Sequence, residues 1–167
     1  MKPASPGSRA PWLAVALLSA AALGYEVLLT RLFAIVYWDH LAHMVISLAL
    51  LGYGASGAFL ALAGHRLQAH FPAAFTTHVA LFAVAAPLCF GAAQALPFNA
   101  LALAWEPLNW LWFAAIYLVL SLPFLAAANA IALALWHDAT RLHRVYAADL
   151  AGAGVGALGI VALLFLV

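Results

Sequence analysis

Apolar residues in this chain do not form a stripe along one side of a helix, nor do they alternate with polar ones as on a half-buried strand. They come in five long runs, apolar all round and separated by short polar interruptions. A helix that is hydrophobic on every side belongs in a large core or a membrane. These runs are roughly 19–27 residues long, and about 20 residues are needed to cross a hydrocarbon layer about 30 Å thick. The pattern predicts spans over 12–38, 41–63, 78–96, 110–136 and 146–167, making residues 12–167 a transmembrane helical domain. A polar tail, residues 1–11 (MKPASPGSRAP), precedes the first span. The first span starts like a secretory signal, with basic residues, then WLAVALL, then the small-residue stretch SAAALG. Cleavage after Ala22 would leave another apolar run, so an uncleaved signal-anchor is the better reading. That span exceeds the hydrocarbon thickness and must tilt or project. Pro87 and Pro123 fall inside spans, where neighbouring helices can satisfy the freed backbone groups.

Composition agrees with the pattern. Of the 167 residues, 69% are hydrophobic and 7% charged, against about 25% charged in a soluble domain. The expected class is therefore an all-α integral membrane bundle. Lys2, Arg9, Arg66, Arg141 and Arg144 fall on one side of five alternating spans, and only the intramembrane Arg31 departs from this. The positive-inside rule then puts the N-terminus in the cytoplasm, with a bacterial cytoplasmic (inner) membrane as the expected location. Trp38, Trp105, Trp110, Trp112 and Trp136 lie near span ends, where interfacial aromatics gather. No basic block suited to phosphate backbones is present, so no nucleic-acid partner is expected. Cys89 stands alone in an apolar segment, without a disulfide or metal-type spacing. No internal repeat supports an inverted-repeat transporter.

Few residues can carry chemistry. Glu26 lies near the middle of the first span, where a charge costs about 2.5–3.5 kcal/mol on insertion scales. With Ser19, Ala22 and Thr30 it forms a small or polar stripe at three-four spacing. Arg31 is five residues on, about 140° around the helix, a poor position for a direct pair. The stripe reads either as a proton or substrate site or as a polar contact that fixes helix packing. Asp39, His40 and His43 form DHLAH at the outer end, and Glu106 lies in the other outer loop. Together they could hold zinc, iron or copper, and one histidine could serve as an axial haem ligand. Interfacial hydrogen bonding is the plainer account, and no cofactor is expected. His65, His70, His137 and His143 fall in loops, with His78 near a span start, and all five read as solvated or interfacial.

GYGASG (Gly52, Gly54, Gly57) and GVGALG (Gly154, Gly156, Gly159) match a dinucleotide fingerprint in letters only. Both lie inside apolar spans without the strand and acid that the fingerprint needs. They read as helix-packing positions, with residues 43, 47, 50, 54, 57 and 61 as one stripe and Gly152 with Gly156 as a GxxxG pair. Asp149 is expected in the first turn of the last helix, favoured there by the dipole. Buried against the first or second helix, it would instead join a polar site. Gln94, Ser121 and Asn129 offer interhelical hydrogen bonds. No nucleophile–base–acid set or phosphate loop is present, so no residue is assigned a catalytic role.

Two segments carry a resemblance. GYEVLLTRLFAIVYWDHLAHMVISLALLGYGASGAFLAL, from Gly24, and VYAADLAGAGVGALG, from Val145, resemble the multi-pass membrane region of spermidine synthase-like (polyamine aminopropyltransferase-like) bacterial proteins. The matching motif positions are Tyr25, Glu26, Arg31, Tyr146 and Asp149. In that family the membrane helices usually precede a soluble nucleotide-binding-type α/β domain, and none is present before Val167. The resemblance therefore implies a module that anchors, senses for, or passes a small substrate to a synthase- or methyltransferase-like domain or partner. It implies no catalysis by this chain itself. Two other readings stand beside it. One is a small transporter or channel subunit using Glu26. The other is a haem- or metal-bearing subunit of a membrane redox complex using His40 and His43.

The topology has a direct check. A cysteine placed at Asn99 should react with a membrane-impermeant maleimide from outside intact cells, and one placed at Thr140 should react only after lysis. The reverse pattern would invert the orientation.

Overall fold

The structure is a computed structural model and describes residues 12–37 and 43–166. Five α-helices follow in order: α1 Trp12–Tyr37, α2 Met44–Ala69, α3 Phe71–Ala95, α4 Pro107–His137 and α5 Leu142–Leu166. Two short 3₁₀ turns, Ala100–Ala104 and Ala139–Arg141, precede α4 and α5. No strand occurs among the described residues. All five helices are long and apolar enough to cross a membrane.

Helices α2 to α5 are longer than the predicted spans, because polar residues end an apolar run without ending a helix. GHRLQAHFPAAFTT, expected as a loop, is helical apart from one break at His70. His70 leaves helical geometry (φ −123°, ψ 42°), and its N–H bonds the Leu67 carbonyl at 3.1 Å. Pro72 then sits in the first turn of α3, where its missing donor costs nothing. Pro107 starts α4 in the same way. The connection between α3 and α4 is tied internally. The Asn99 side chain accepts from Leu101 N at 3.0 Å, Asn109 Oδ1 accepts from Asn99 N at 3.2 Å, and Asn109 Nδ2 donates to Glu106 Oε2 at 2.8 Å. The last helix starts at Leu142 rather than Tyr146, which places Asp149 two turns inside it.

Helix α4 is the most enclosed, with Ile116, Leu120, Phe124, Ala127, Asn129, Ala130, Leu133 and Ala134 buried along it. Helices α2 and α3 pack on it. Toward α4, α2 presents Gly52, Ser56, Leu60 and Gly64, one residue per turn and all buried. A Cβ on Gly52 would fall 2.7 Å from both the Phe124 Cβ and the Ser121 carbonyl, and one on Gly64 would meet the Trp136 ring at 2.5 Å. The packing stripe expected through Gly54 and Gly57 is therefore not the one used. Both glycines open onto space within 4 Å, because the helix faces α4 about one residue out of phase with that stripe.

Helices α1 and α5 form the other close pair. A Cβ on Gly152 would run into the backbone of Ala16, and one on Gly156 into that of Ala20. Residue numbers rise together along both helices, so the two run parallel, as the first and fifth of five alternating spans must. In lipid, such association rests on van der Waals contact and hydrogen bonds, because the surrounding chains are as apolar as the helices. Tyr25 ties this pair to the rest of the bundle. Its hydroxyl donates to the Ala86 carbonyl of α3 at 3.0 Å, and its ring lies 5.6 Å from Phe124 of α4. Large exposed residues such as Leu62, Leu158 and Phe165 coat the outside, as a lipid-facing surface requires.

Gly152→Leu and Gly156→Leu should each destabilise the protein by about 1–3 kcal/mol through overpacking. Gly154→Ala, which meets nothing within 4 Å, should be neutral or slightly stabilising. Unfolding in mixed detergent micelles measures both. Equal tolerance at all three positions would contradict the α1–α5 contact.

Candidate functional site

The polar residues of α1 follow from its helical repeat. Ser19, Ala22, Leu23, Glu26, Val27 and Thr30 turn toward the other helices, Ser19 and Ala22 being buried and the rest half-buried. Ser19 and Glu26 are two turns apart on nearly the same face, about 10 Å along the axis. Each lines a different cavity.

The first cavity, about 380 Å³, lies among α1, α2, α4 and α5. Its polar lining is Ser19, Tyr53, Ser56 and Asp149, and Ala22, Leu23, Ala128, Ile131 and Leu135 are among its apolar walls. The Ser19 hydroxyl hydrogen-bonds Asp149 Oδ1 and also lies 2.9 Å from the carbonyl of Val15 in its own helix. One hydroxyl hydrogen thus serves two acceptors. Across the cavity wall, the Ser56 hydroxyl donates to Asn129 Oδ1 at 2.7 Å. Both residues are buried, Asn129 to 1% exposure, and Asn129 Nδ2 has no hydrogen-bond partner. A buried donor left open costs about 1–3 kcal/mol, so this corner of the bundle favours an acceptor atom.

Asp149 therefore does not act as a helix-dipole residue in a first turn. It lies half-buried two turns into α5, facing Ser19. Its position follows from the small residues beside it, because Gly152 and Gly156 bring α5 within backbone contact of α1.

The second cavity, about 550 Å³, is lined by Glu26, Thr30, Arg31 and His43, and by Val161, Leu164 and Phe165 near the end of α5. Thr30 bonds back to the Glu26 carbonyl at 2.9 Å. Among the described residues no ion pair joins Glu26 to Arg31, as their five-residue spacing leads one to expect. Leu23 belongs to the walls of both cavities. Tyr53 shares the first cavity with Asp149. Two carboxylates, three hydroxyls and a phenol, with Arg31 and His43, thus line the two cavities.

The other candidate residues are placed as follows. Tyr25 makes the α1–α3 bond described above, and Tyr146 is exposed at the start of α5. Asp39 and His40 lie outside the described residues. Of the remaining proposed metal ligands, His43 lines the Glu26 cavity and Glu106 accepts from Asn109. Among the described residues no three His, Cys, Asp or Glu gather to hold a metal. Two of the histidines read as solvated or interfacial pack against neighbouring groups. His78 is buried with Nδ1 2.8 Å from the Ala74 carbonyl, and the His137 ring stacks on Phe71 at 3.9 Å. Of the polar handles, Asn129 bridges helices, Ser121 bonds back to Leu118 in its own helix, and Gln94 is exposed. Tyr53 and Ser56 were missed by sequence reasoning. The signal for Ser56 was the four-residue step from Gly52 to Gly64, and Tyr53 had none.

Compared with family models, curated proteins and solved structures, the chain matches none.

The α1–α5 geometry can be read chemically. With Cys89 replaced by serine, a Ser19→Cys/Asp149→Cys pair should form a disulfide under mild oxidation, and a Ser19→Cys/Val155→Cys pair should not. Failure of the first pair, or equal yield from both, would contradict the contact.

Proposed function

We propose that this chain is a membrane module that takes up a small amine-bearing cation along the polar side of α1 and passes it to a synthase-like domain, carried by a partner or by a longer form of the protein. The observation that carries this reading is the placement of Glu26 and Asp149 in two cavities that share Leu23. Two carboxylates in membrane-spanning helices are expensive unless something offsets them. Arg31 lines the Glu26 cavity without pairing with Glu26, and the Asp149 cavity has no cationic side chain in its lining. A bound cation would offset Asp149 directly, and the hydroxyls of Ser19, Ser56 and Tyr53 can accept from an ammonium group. The apolar walls of Ala22, Leu23 and Ile131 suit an aliphatic body. The resemblance to the membrane region of spermidine synthase-like proteins supports the same reading, because a polyamine is a flexible aliphatic cation. In that setting the N-terminus is cytoplasmic and the bilayer is a bacterial inner membrane.

The purified protein in lipid nanodiscs should bind labelled spermidine saturably. Glu26→Gln and Asp149→Asn should each weaken binding about tenfold or more, the scale of a hydrogen bond to a charged group. Absence of saturable binding, or unchanged binding in both variants, would sink the proposal. Co-purification with a synthase- or methyltransferase-like domain tests the second half of the reading.

Transport is a second reading, favoured by the different depths of the two cavities. Proteoliposomes should then accumulate the labelled cation with wild-type protein and lose that flux with Glu26→Gln. Equal flux in both would leave only binding and delivery.

A further inference from the structure

The end of the bundle where α1 begins holds a third cavity, about 660 Å³, that shares no lining residue with the other two. Trp12, Asp138, Arg141, Arg144, Val145, Ala147 and Ala148 line it. Trp12 is the first residue of α1, Arg141 ends a 3₁₀ turn, and Arg144 lies in the first turn of α5. All three sit where two apolar spans begin, which is the level of the lipid headgroups. Trp is an anchor at that level because its ring is apolar and its N–H polar.

Arg141 and Arg144 are three residues apart, so they share one face. Both are exposed, and neither is ion-paired among the described residues. Asp138 is occupied locally, its Oδ1 accepting from the Thr140 hydroxyl at 3.3 Å and its carbonyl from Arg141 N at 2.9 Å. Two arginines and one aspartate leave a single net positive charge in the lining. Guanidinium groups match phosphate oxygens in pairs. The first turn of α5 adds a dipole of the same sign. Val145, Ala147 and Ala148 give the cavity an apolar wall that continues along α5 into the membrane.

We infer that this cavity is a headgroup site for an anionic phospholipid, with Arg141 and Arg144 on the phosphodiester and the acyl chains lying along α5. An anionic phospholipid brings the one net negative charge that offsets this lining, whereas a zwitterionic one brings a cation of its own beside the phosphate. Free phosphate would use the arginines and leave the apolar wall empty, so a lipid fits the whole surface better. The site is independent of the cation path and serves to fix the start of α5 relative to α1.

Native mass spectrometry of the purified protein, with phosphatidylglycerol and phosphatidylcholine of matched chains at equal concentration, tests this. Phosphatidylglycerol should be retained about tenfold over phosphatidylcholine, and Arg141→Gln/Arg144→Gln should abolish the preference. Arg66→Gln, at the same end of the bundle but outside the cavity, should leave it intact. Equal retention of the two lipids overturns the inference. So does an unaffected double variant, or an equal loss in Arg66→Gln, which would indicate diffuse charge attraction. Displacement of the bound phosphatidylglycerol by inorganic phosphate alone would assign the arginines to a free anion and also overturn it.

Discussion

The polar contact between Ser19 and Asp149 depends on how closely α1 and α5 approach. Gly152 and Gly156 have no Cβ, and Ala16 and Ala20 have little more, so the two backbones touch. A bilayer offers no hydrophobic reward for bringing helices together, and close contact must supply the attraction. The same contact sets the register that puts the Ser19 hydroxyl on Asp149. Larger residues at 152 or 156 would separate the helices and leave a carboxylate facing lipid. The small residues and the carboxylate are parts of one arrangement.

The second arrangement is the seating of α2 on α4. Gly52 and Gly64 let the helices meet at two levels, and Ser56 reaches Asn129 between them. Asn129 keeps one donor open at 1% exposure. Tyr25 joins this half of the bundle to the α1–α5 pair through one hydroxyl and two aromatic neighbours. The polar side of α1 therefore runs along a seam between two closely packed pairs, with the two cavities beside it.

Much of the fold was legible in the residues. Five apolar runs became five helices, and the GxxxG pair on α5 packs where its spacing indicates. Helix ends were not legible, because hydropathy marks where the membrane stops and capping marks where the helix stops. His65 to Thr77 shows the difference, being interrupted by polar residues yet helical apart from His70. Glu26 could be picked out because a carboxylate inside an apolar run is costly on its own. Asp149 could not be assigned, since its meaning depends on where α5 begins and on a serine 130 residues away. The choice of packing stripe on α2 was likewise undecidable, as both faces offered small residues and only α4 selects one.

The pairing of α1 with α5 also has a bearing on synthesis. Helix α1 is made before α5, with three helices between them, yet the two are direct neighbours. Until α5 emerges, α1 has no backbone partner for Ala16 and Ala20, and Ser19 has no carboxylate. Asp149 enters the membrane two turns behind the basic start of its helix and finds its hydroxyl partner already waiting there. Both cavities on α1 therefore gain part of their walls only when α5 arrives, and a chain interrupted before α5 would carry Glu26 and Ser19 without Asp149, Val161 or Leu164 beside them.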